Sequence, residues 1–252
     1  MNFKHLYFAF LVLLAFNCKQ ETTTLTKIEG KLISIDDSLK TNTEIEAFIK
    51  PYRKHVETNL DSVLSYAVDT YSKTDGEFNT AVGNFMADAV YEQSNPIFKS
   101  RTGNDIDMVI LNHGGIRSII SKGNITTRTA YEIMPFENNI VVVSLKGTNI
   151  NEFVSYLVNS KRAHPFSNFK LILDSEFNPI QSLIKGKKID TTKTYYIATN
   201  DYLYSGGDNM TFFKPNDSLY DLNYKIRNAL IDYFKNNDTI NPVIDDRFIQ
   251  IK

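Results

Sequence analysis

Apolar positions recur along this chain with two different periods, and the places where the period changes mark out its elements. Over 27–35 residues alternate in strand-like fashion (Ile28, Gly30, Leu32, Ser34). Asn42 stands where it caps a helix with Ile45, Phe48, Ile49 and Tyr52 on one face, bent by Pro51. A second helix is predicted over about 80–92, with Val82, Phe85, Met86 and Ala89 at helical spacing. The apolar run 107–111, closed by Gly114-Gly115, reads as a buried strand ending in a tight loop. The β-branched run 140–145 reads as a central strand, 149–158 as helix, 169–173 as strand, and 194–198 as a strand leading into Asn200. Leu222, Ile226, Leu230 and Phe234, spaced by four, predict a long helix over 221–234, and 248–251 a last strand. Strands and helices interleave without an internal repeat or a linker, so 27–252 is expected to be one α/β or α+β domain.

Composition narrows the function classes. The 252 residues are 42% hydrophobic and 23% charged, as in an ordinary globular protein, and the net charge is -1. With no global field, a nucleic-acid partner is not expected, and any anionic ligand must be held by a local cluster. The one cysteine, Cys18, forms no internal disulfide and makes no metal site by itself. Its position is more telling. Lys4 and His5 precede an apolar run over 6–16, too short to span a bilayer, and the polar stretch 19–24 follows Cys18. This resembles a bacterial lipoprotein signal, although Asn17 stands where a small residue is usual. The expectation is a signal peptide over 1–17, a lipidated Cys18 with a tether over 18–26, and an exported protein of the periplasm or outer membrane, held to the membrane by that lipid. The alternative is an ordinary secretory signal cleaved near the same point.

Three segments carry chemistry. Asn112-His113-Gly114-Gly115-Ile116-Arg117 follows a predicted strand, where α/β proteins gather ligands. Gly114 and Gly115 permit close backbone approach, Asn112 offers a donor and an acceptor, and Arg117 a planar fork for phosphate oxygens. By itself the segment also fits a plain glycine turn beside a surface arginine, with His113 a loop residue. Met134-Pro135-Phe136-Glu137-Asn138-Asn139 puts a phenylalanine in a loop, which serves as one face of a base-stacking slot or as a core plug. Asn200-Asp201-Tyr202-Leu203-Tyr204-Ser205-Gly206-Gly207-Asp208 sets tyrosines and a carboxylate around paired glycines. Such a loop stacks a ring and accepts from ribose hydroxyls, or is a turn in which Asp208 bonds its own backbone.

Taken together and in order, these segments resemble the C-terminal domain of 5'-nucleotidases. So do Gly83-Asn84-Phe85-Met86-Ala87-Asp88-Ala89, similar to that family's Gly-Asn-x-x-x-Asp-Ala segment, and Leu145-Lys146-Gly147 ahead of a helix. The resemblance covers about 60–213, and more loosely the chain from Thr24 onward. It implies a four-layer α-β-β-α sandwich that grips a nucleoside. Phe136 and Tyr202 would sandwich the base, with Tyr202 where the family commonly has phenylalanine. Asn112 would bond the base edge, Asp208 the ribose and Arg117 the phosphate, with Gly114 and Gly115 shaping the loop. Asn138, Gly206 and Gly207 are weaker candidates. So is Lys73, which stands where the family usually has a second phosphate-binding arginine; it is a point charge rather than a fork.

The family's metal-binding motifs are not found. The sequence has no Asp-x-His, and none of the Gly-Asn pairs at Gly83, Gly103 and Gly123 is followed by histidine. After signal removal His55, His113 and His164 are scattered without metal-ligand spacing, and no Ser-His-Asp or Cys-His pattern offers another catalyst. The expectation is therefore a recognition subunit with no catalytic residue and no cofactor of its own. Divalent metals would reside in a separate metallophosphatase protein that docks on it. The alternatives are a nucleoside- or nucleotide-capturing lipoprotein without a catalytic partner, and a structural lipoprotein with a degenerate pocket.

Overall fold

The computed structural model describes residues 25–251, so the predicted signal peptide and Cys18 lie outside the described residues. The chain divides into two units, Met1–Ile49 and Lys50–Lys252. In the first unit the strand predicted over 27–35 does not form, and Leu32 is 97% exposed. Alternation defines two faces, but an extended segment becomes a strand only when its N–H and C=O groups find a ladder partner. Asn42 does cap helix α1 (Thr43–Leu60), its Oδ1 accepting from the amides of Glu44 at 3.0 Å and Ile45 at 3.2 Å.

The second unit is mixed α/β, as expected, built in this order: β1 (Val63–Ala67), α2 (Ala81–Thr102), β2 (Met108–Ile110), β3 (Gly123–Thr126), α3 (Thr127–Ile133), β4 (Asn139–Lys146), α4 (Gly147–Ser160), β5 (Phe166–Ser167), β6 (Phe169–Leu173), β7 (Pro179–Ile184), β8 (Lys187–Lys188), β9 (Thr194–Asn200), α5 (Asp201–Tyr204), β10 (Ser218–Lys225), α6 (Ile226–Asn236), β11 (Thr239–Ile240) and β12 (Phe248–Gln250). The strands form three sheets, with orders β11-β1-β3, β10-β4-β9-β2-β5 and β12-β6-β7-β8.

The five-stranded sheet is buried on both faces, which its period-two side chains make plain. Ile140, Val142, Val109 and Ala198 face a core shared with Val82, Phe85 and Met86 of α2 and Leu230 and Phe234 of α6. Val141, Val143, Met108 and Ile197, one residue out of phase, face a second core with Ile150 and Phe153 of α4 and Leu171 and Phe248 of the four-stranded sheet. A slip of one residue in β4 would exchange the two sets, so the register is tightly specified.

Two helical expectations are corrected. The helix predicted over 80–92 starts where Thr80 caps it by accepting from the Gly83 amide, but it continues through Pro96 to Thr102. There Gly103, at φ 77°, ends it by donating to the Lys99 carbonyl. The helix predicted over 221–234 is two elements. Residues Ser218–Lys225 pair antiparallel with β4, and the helix starts only at Ile226. Leu222 lies in the same core as Ile226 and Leu230, so a strand residue and a helix face mimic one continuous helical stripe.

The Gly-Asn-x-x-x-Asp-Ala segment serves as a mooring. The buried Asn84 amide donates to Val243 O and Asn79 Oδ1, both at 2.9 Å. Asp88 receives a two-pronged bond from Arg247, which also donates to Phe166 O at 2.7 Å. This fastens the chain's last strand to α2.

Candidate functional site

Strand direction brings the three loops together. β2 and β9 run parallel, so Asn112 after β2 and Tyr202 after β9 emerge at the same edge of the five-stranded sheet. β4 runs antiparallel to β9, with Ile140 opposite Asn200, so the segment that enters β4, containing Phe136 and Asn138, stands at that edge too. Here a cleft of about 300 Å³ is lined by Asn112, Gly114, Gly115, Arg117, Phe136, Asn138, Tyr202 and Asp208. Lys73 is not among the lining residues; its Nζ donates to Ile116 O at 2.9 Å, behind the glycine loop.

Each wall has a local cause. Gly115 lies so close to Asn112 that a Cβ would come within 2.8 Å of its Oδ1. Asn112, itself buried, donates Nδ2–H to Asp208 Oδ2 at 2.7 Å. Tyr202 donates its hydroxyl to Asp208 Oδ1 at 3.0 Å. Its ring lies against Gly207, where a Cβ would fall 2.4 Å from a ring carbon. Gly206 takes φ 97°, and Asp208 and Asn209 both adopt left-handed backbone, at φ 50° and 61°, a conformation that Asp and Asn tolerate better than most residues. Asn200 caps the short helix under Tyr202 by accepting from Leu203 N at 2.8 Å. Arg117 is exposed, with its guanidinium carbon 5.8 Å from the centre of the Phe136 ring. Phe136 and Tyr202 are 41% and 47% exposed, large for aromatic rings that flank a cleft.

A polar chain beneath the cleft ties two of its loops together. The His113 amide donates to His164 Nδ1 at 3.3 Å, so Nδ1 carries no proton and Nε2–H points to Tyr156 Oη at 3.5 Å. Tyr156 in turn donates to the Asp208 carbonyl at 3.0 Å. Burial pushes the His164 imidazole down to about 4, and burial also lowers His113 and raises the Tyr156 phenol. Both histidines are thereby held neutral at pH 7.

The segment at Phe136 has a support that the sequence pattern does not disclose. Arg227, only 4% exposed at the start of α6, donates Nη1–H to Pro135 O at 3.2 Å and Phe136 O at 3.5 Å, and pairs with Glu137. Hydrogen bonding from Arg227 first, then Lys225, takes the Glu137 carboxyl down to about 2. The available signal was an arginine directly beside the apolar stripe of Ile226 and Leu230; for His164 and Tyr156 there was none. Among the described residues no group of three or more His, Cys, Asp or Glu side chains is gathered closely enough to hold a metal, so they do not fit the family's metal centre. No described helix is long and apolar enough to cross a membrane.

Fold and cleft together define an α/β domain with a small-molecule-sized site at the carboxyl edge of its central sheet. Residues 62–215 match the family described as 5'-nucleotidase, C-terminal domain, and the chain belongs to that family. It is 24% identical over 244 residues to an apyrase of Tabanus yao, covering 87% of this chain and 44% of that one. It is likewise 24% identical over 238 residues to the trifunctional nucleotide phosphoesterase protein YfkN of Bacillus subtilis, covering 87% and 16%. The fold is shared with a 5'-nucleotidase precursor of Thermus thermophilus, at a TM-score of 0.69 and 21% identity, covering 82% of this chain and 43% of that one. The chain thus spans less than half the length of these relatives.

Proposed function

We propose that this chain is the nucleoside- and nucleotide-recognition part of a 5'-nucleotidase-type phosphohydrolase, and that a separate metallophosphatase protein supplies the metals and the hydrolysis. The observation that carries the reading is the convergence of Asn112, Arg117, Phe136, Tyr202 and Asp208 on one cleft from three segments far apart in sequence. Two half-exposed aromatic rings offer stacking faces to a base, Asn112 an amide to its edge, Asp208 acceptors to ribose, and Arg117 a fork to phosphate. A nucleotide sugar or dinucleotide presents the same groups, so the class of ligand is a nucleoside with or without phosphate.

The test is calorimetric titration with adenosine, uridine and AMP, beside a phosphate-release assay with Mn²⁺, Co²⁺ or Zn²⁺. The reading expects binding without turnover, and recovery of a metallophosphatase when the protein is purified from its native envelope. Binding without any such protein favours the capture lipoprotein instead, and no binding favours the structural one. Metal-dependent phosphate release abolished by a change within this chain sinks the two-protein scheme. Export and anchoring through Cys18 belong to the same proposal, because several acyl chains hold a protein stably where one does not. Cys18→Ser should move the protein from the membrane fraction to the soluble one; unchanged partition overturns the lipid anchor.

A further inference from the structure

Three consecutive residues at the junction of β10 and α6 grip four consecutive residues of the loop that carries Phe136. The Ile226 amide donates to Asn138 O at 3.1 Å. Lys225 and Arg227 both pair with the Glu137 carboxylate. Arg227 also donates one nitrogen to Pro135 O at 3.2 Å and Phe136 O at 3.5 Å. Its guanidinium carbon lies 4.1 Å from the centre of the Tyr131 ring, which fixes the plane of the fork from one side.

This arrangement is costly for fold stability alone. Arginine is almost never buried to 4% exposure unless paired, and its Nε–H has no hydrogen-bond partner among the described residues. A buried charge paired with an exposed carboxylate is poor evidence of net stabilisation, since desolvation offsets the Coulomb gain. What the fork does achieve is geometry: one nitrogen of the rigid, planar guanidinium reaches the carbonyls of Pro135 and Phe136 while a second pairs with Glu137. The Phe136 ring meanwhile lines the cleft half-exposed, with the exposed Arg117 guanidinium 5.8 Å from its centre, so its placement leans on its backbone.

We infer that Arg227 is a positioning residue for the cleft. It holds the Pro135–Phe136 backbone so that the Phe136 ring stands ready as one wall of the slot before any ligand arrives. The inference rests on the reading of Phe136 as a base-stacking wall. Preorganisation of this kind raises affinity by removing the ordering cost from the binding step. It makes no contact with the ligand, so its effect is uniform across bases.

Arg227→Gln and Arg227→Lys test the role, with adenosine and uridine as probes and melting recorded beside each titration. Gln keeps a donor and loses the charge; Lys keeps the charge and the Glu137 pair but loses the fork. Each should weaken both nucleosides by about five- to tenfold, and deuterium exchange over 134–139 should rise. In a Phe136→Ala background the further loss from Arg227→Gln should vanish, because contacts acting through one residue do not add. A purely structural arginine would lower the melting temperature and leave the affinity of the folded protein at the parental value; one acting independently of Phe136 would give a binding loss that adds to that of Phe136→Ala. Any of those binding results overturns the inference while the stacking reading stands. A Phe136→Ala protein that binds like the parent removes the stacking reading, and the role of Arg227 with it.

Discussion

The Asn112 amide and the Asp208 carboxylate meet at 2.7 Å, joining the loop after β2 to the loop after β9. Tyr202 occupies the other carboxylate oxygen at 3.0 Å, and Tyr156 holds the Asp208 carbonyl. The carboxylate is therefore oriented by two bonds and its backbone by a third, while free acceptor sites remain, since a carboxylate offers roughly four. A left-handed residue held so firmly costs backbone energy, and such outliers collect where function requires a fixed group.

Asp208→Asn separates charge from shape. Asparagine tolerates φ 50°, can accept from Asn112 and is nearly isosteric, so the fold should persist. Sugar hydroxyls lose a charged acceptor, a change of about 1–2 kcal/mol. Adenosine should weaken accordingly, and 2'-deoxyadenosine less. Equal losses for the two, read by calorimetry, would show that Asp208 does not accept from the 2'-hydroxyl.

Gly207→Ala attacks the opposite wall by displacing the Tyr202 ring, and with it the hydroxyl bonded to Asp208. The new Cβ meets the Tyr202 ring at 2.4 Å, so the ring must leave its place. Tyr202 is half-exposed and can swing outward, which keeps the melting temperature near the parental value. Nucleoside binding should fall by about 1–3 kcal/mol, as for Tyr202→Ala, because stacking is lost in both. Parental affinity in Gly207→Ala would mean that the observed pose of Tyr202 is not the one a ligand uses.

Arg117→Ala distinguishes nucleotides from nucleosides. The side chain is exposed and its one neighbouring ring is Phe136, so deletion should leave stability almost unchanged. AMP should lose about 1.5–3 kcal/mol, the range for a hydrogen bond to a charged group, while adenosine is spared. A loss shared equally by both ligands would assign Arg117 to the base wall through its contact with Phe136.

The residues that line the cleft were easier to pick out in the sequence than the fold that holds them. Residues such as Gly114, Gly115 and Asp208 have few reasons to cluster except turn chemistry or a ligand, and their order along the chain carried the family resemblance. Helix ends and partnerships were harder. Leu222 shares one core with the α6 face although it belongs to β10, and period alone cannot separate the two. The alternation at Ile28 and Leu32 found no ladder, a matter of long-range pairing that no local pattern contains. Arg227 bonds the Phe136 carbonyl and His164 the His113 amide, partners 91 and 51 residues away, so these contacts became visible only in three dimensions.

His164 predicts how acid destabilises the protein. Its folded value, depressed to about 4, lies below the 6.5 of an unfolded histidine. The unfolded chain thus binds the proton first, and stability falls as pH drops from about 6.5 toward 4; above that window the folded protein loses nothing from this group. A shift of this size corresponds to about 3 kcal/mol across the window. His113 is lowered too and contributes in the same direction, whereas the contribution of Glu137, depressed from 4.5 to about 2, is lost only as pH falls through that lower window. His164→Asn keeps an acceptor for the His113 amide and removes the titration. Urea midpoints measured from pH 7.5 to 4.5 should show a shallower slope in the variant than in the parent, with His113 contributing to the slope that remains. The variant should also be weaker in nucleoside binding, since Tyr156, which donates to the Asp208 carbonyl, loses the His164 Nε2–H that orients its hydroxyl. Parallel slopes in the two proteins would assign the acid sensitivity to other groups and leave His164 as a packing residue alone.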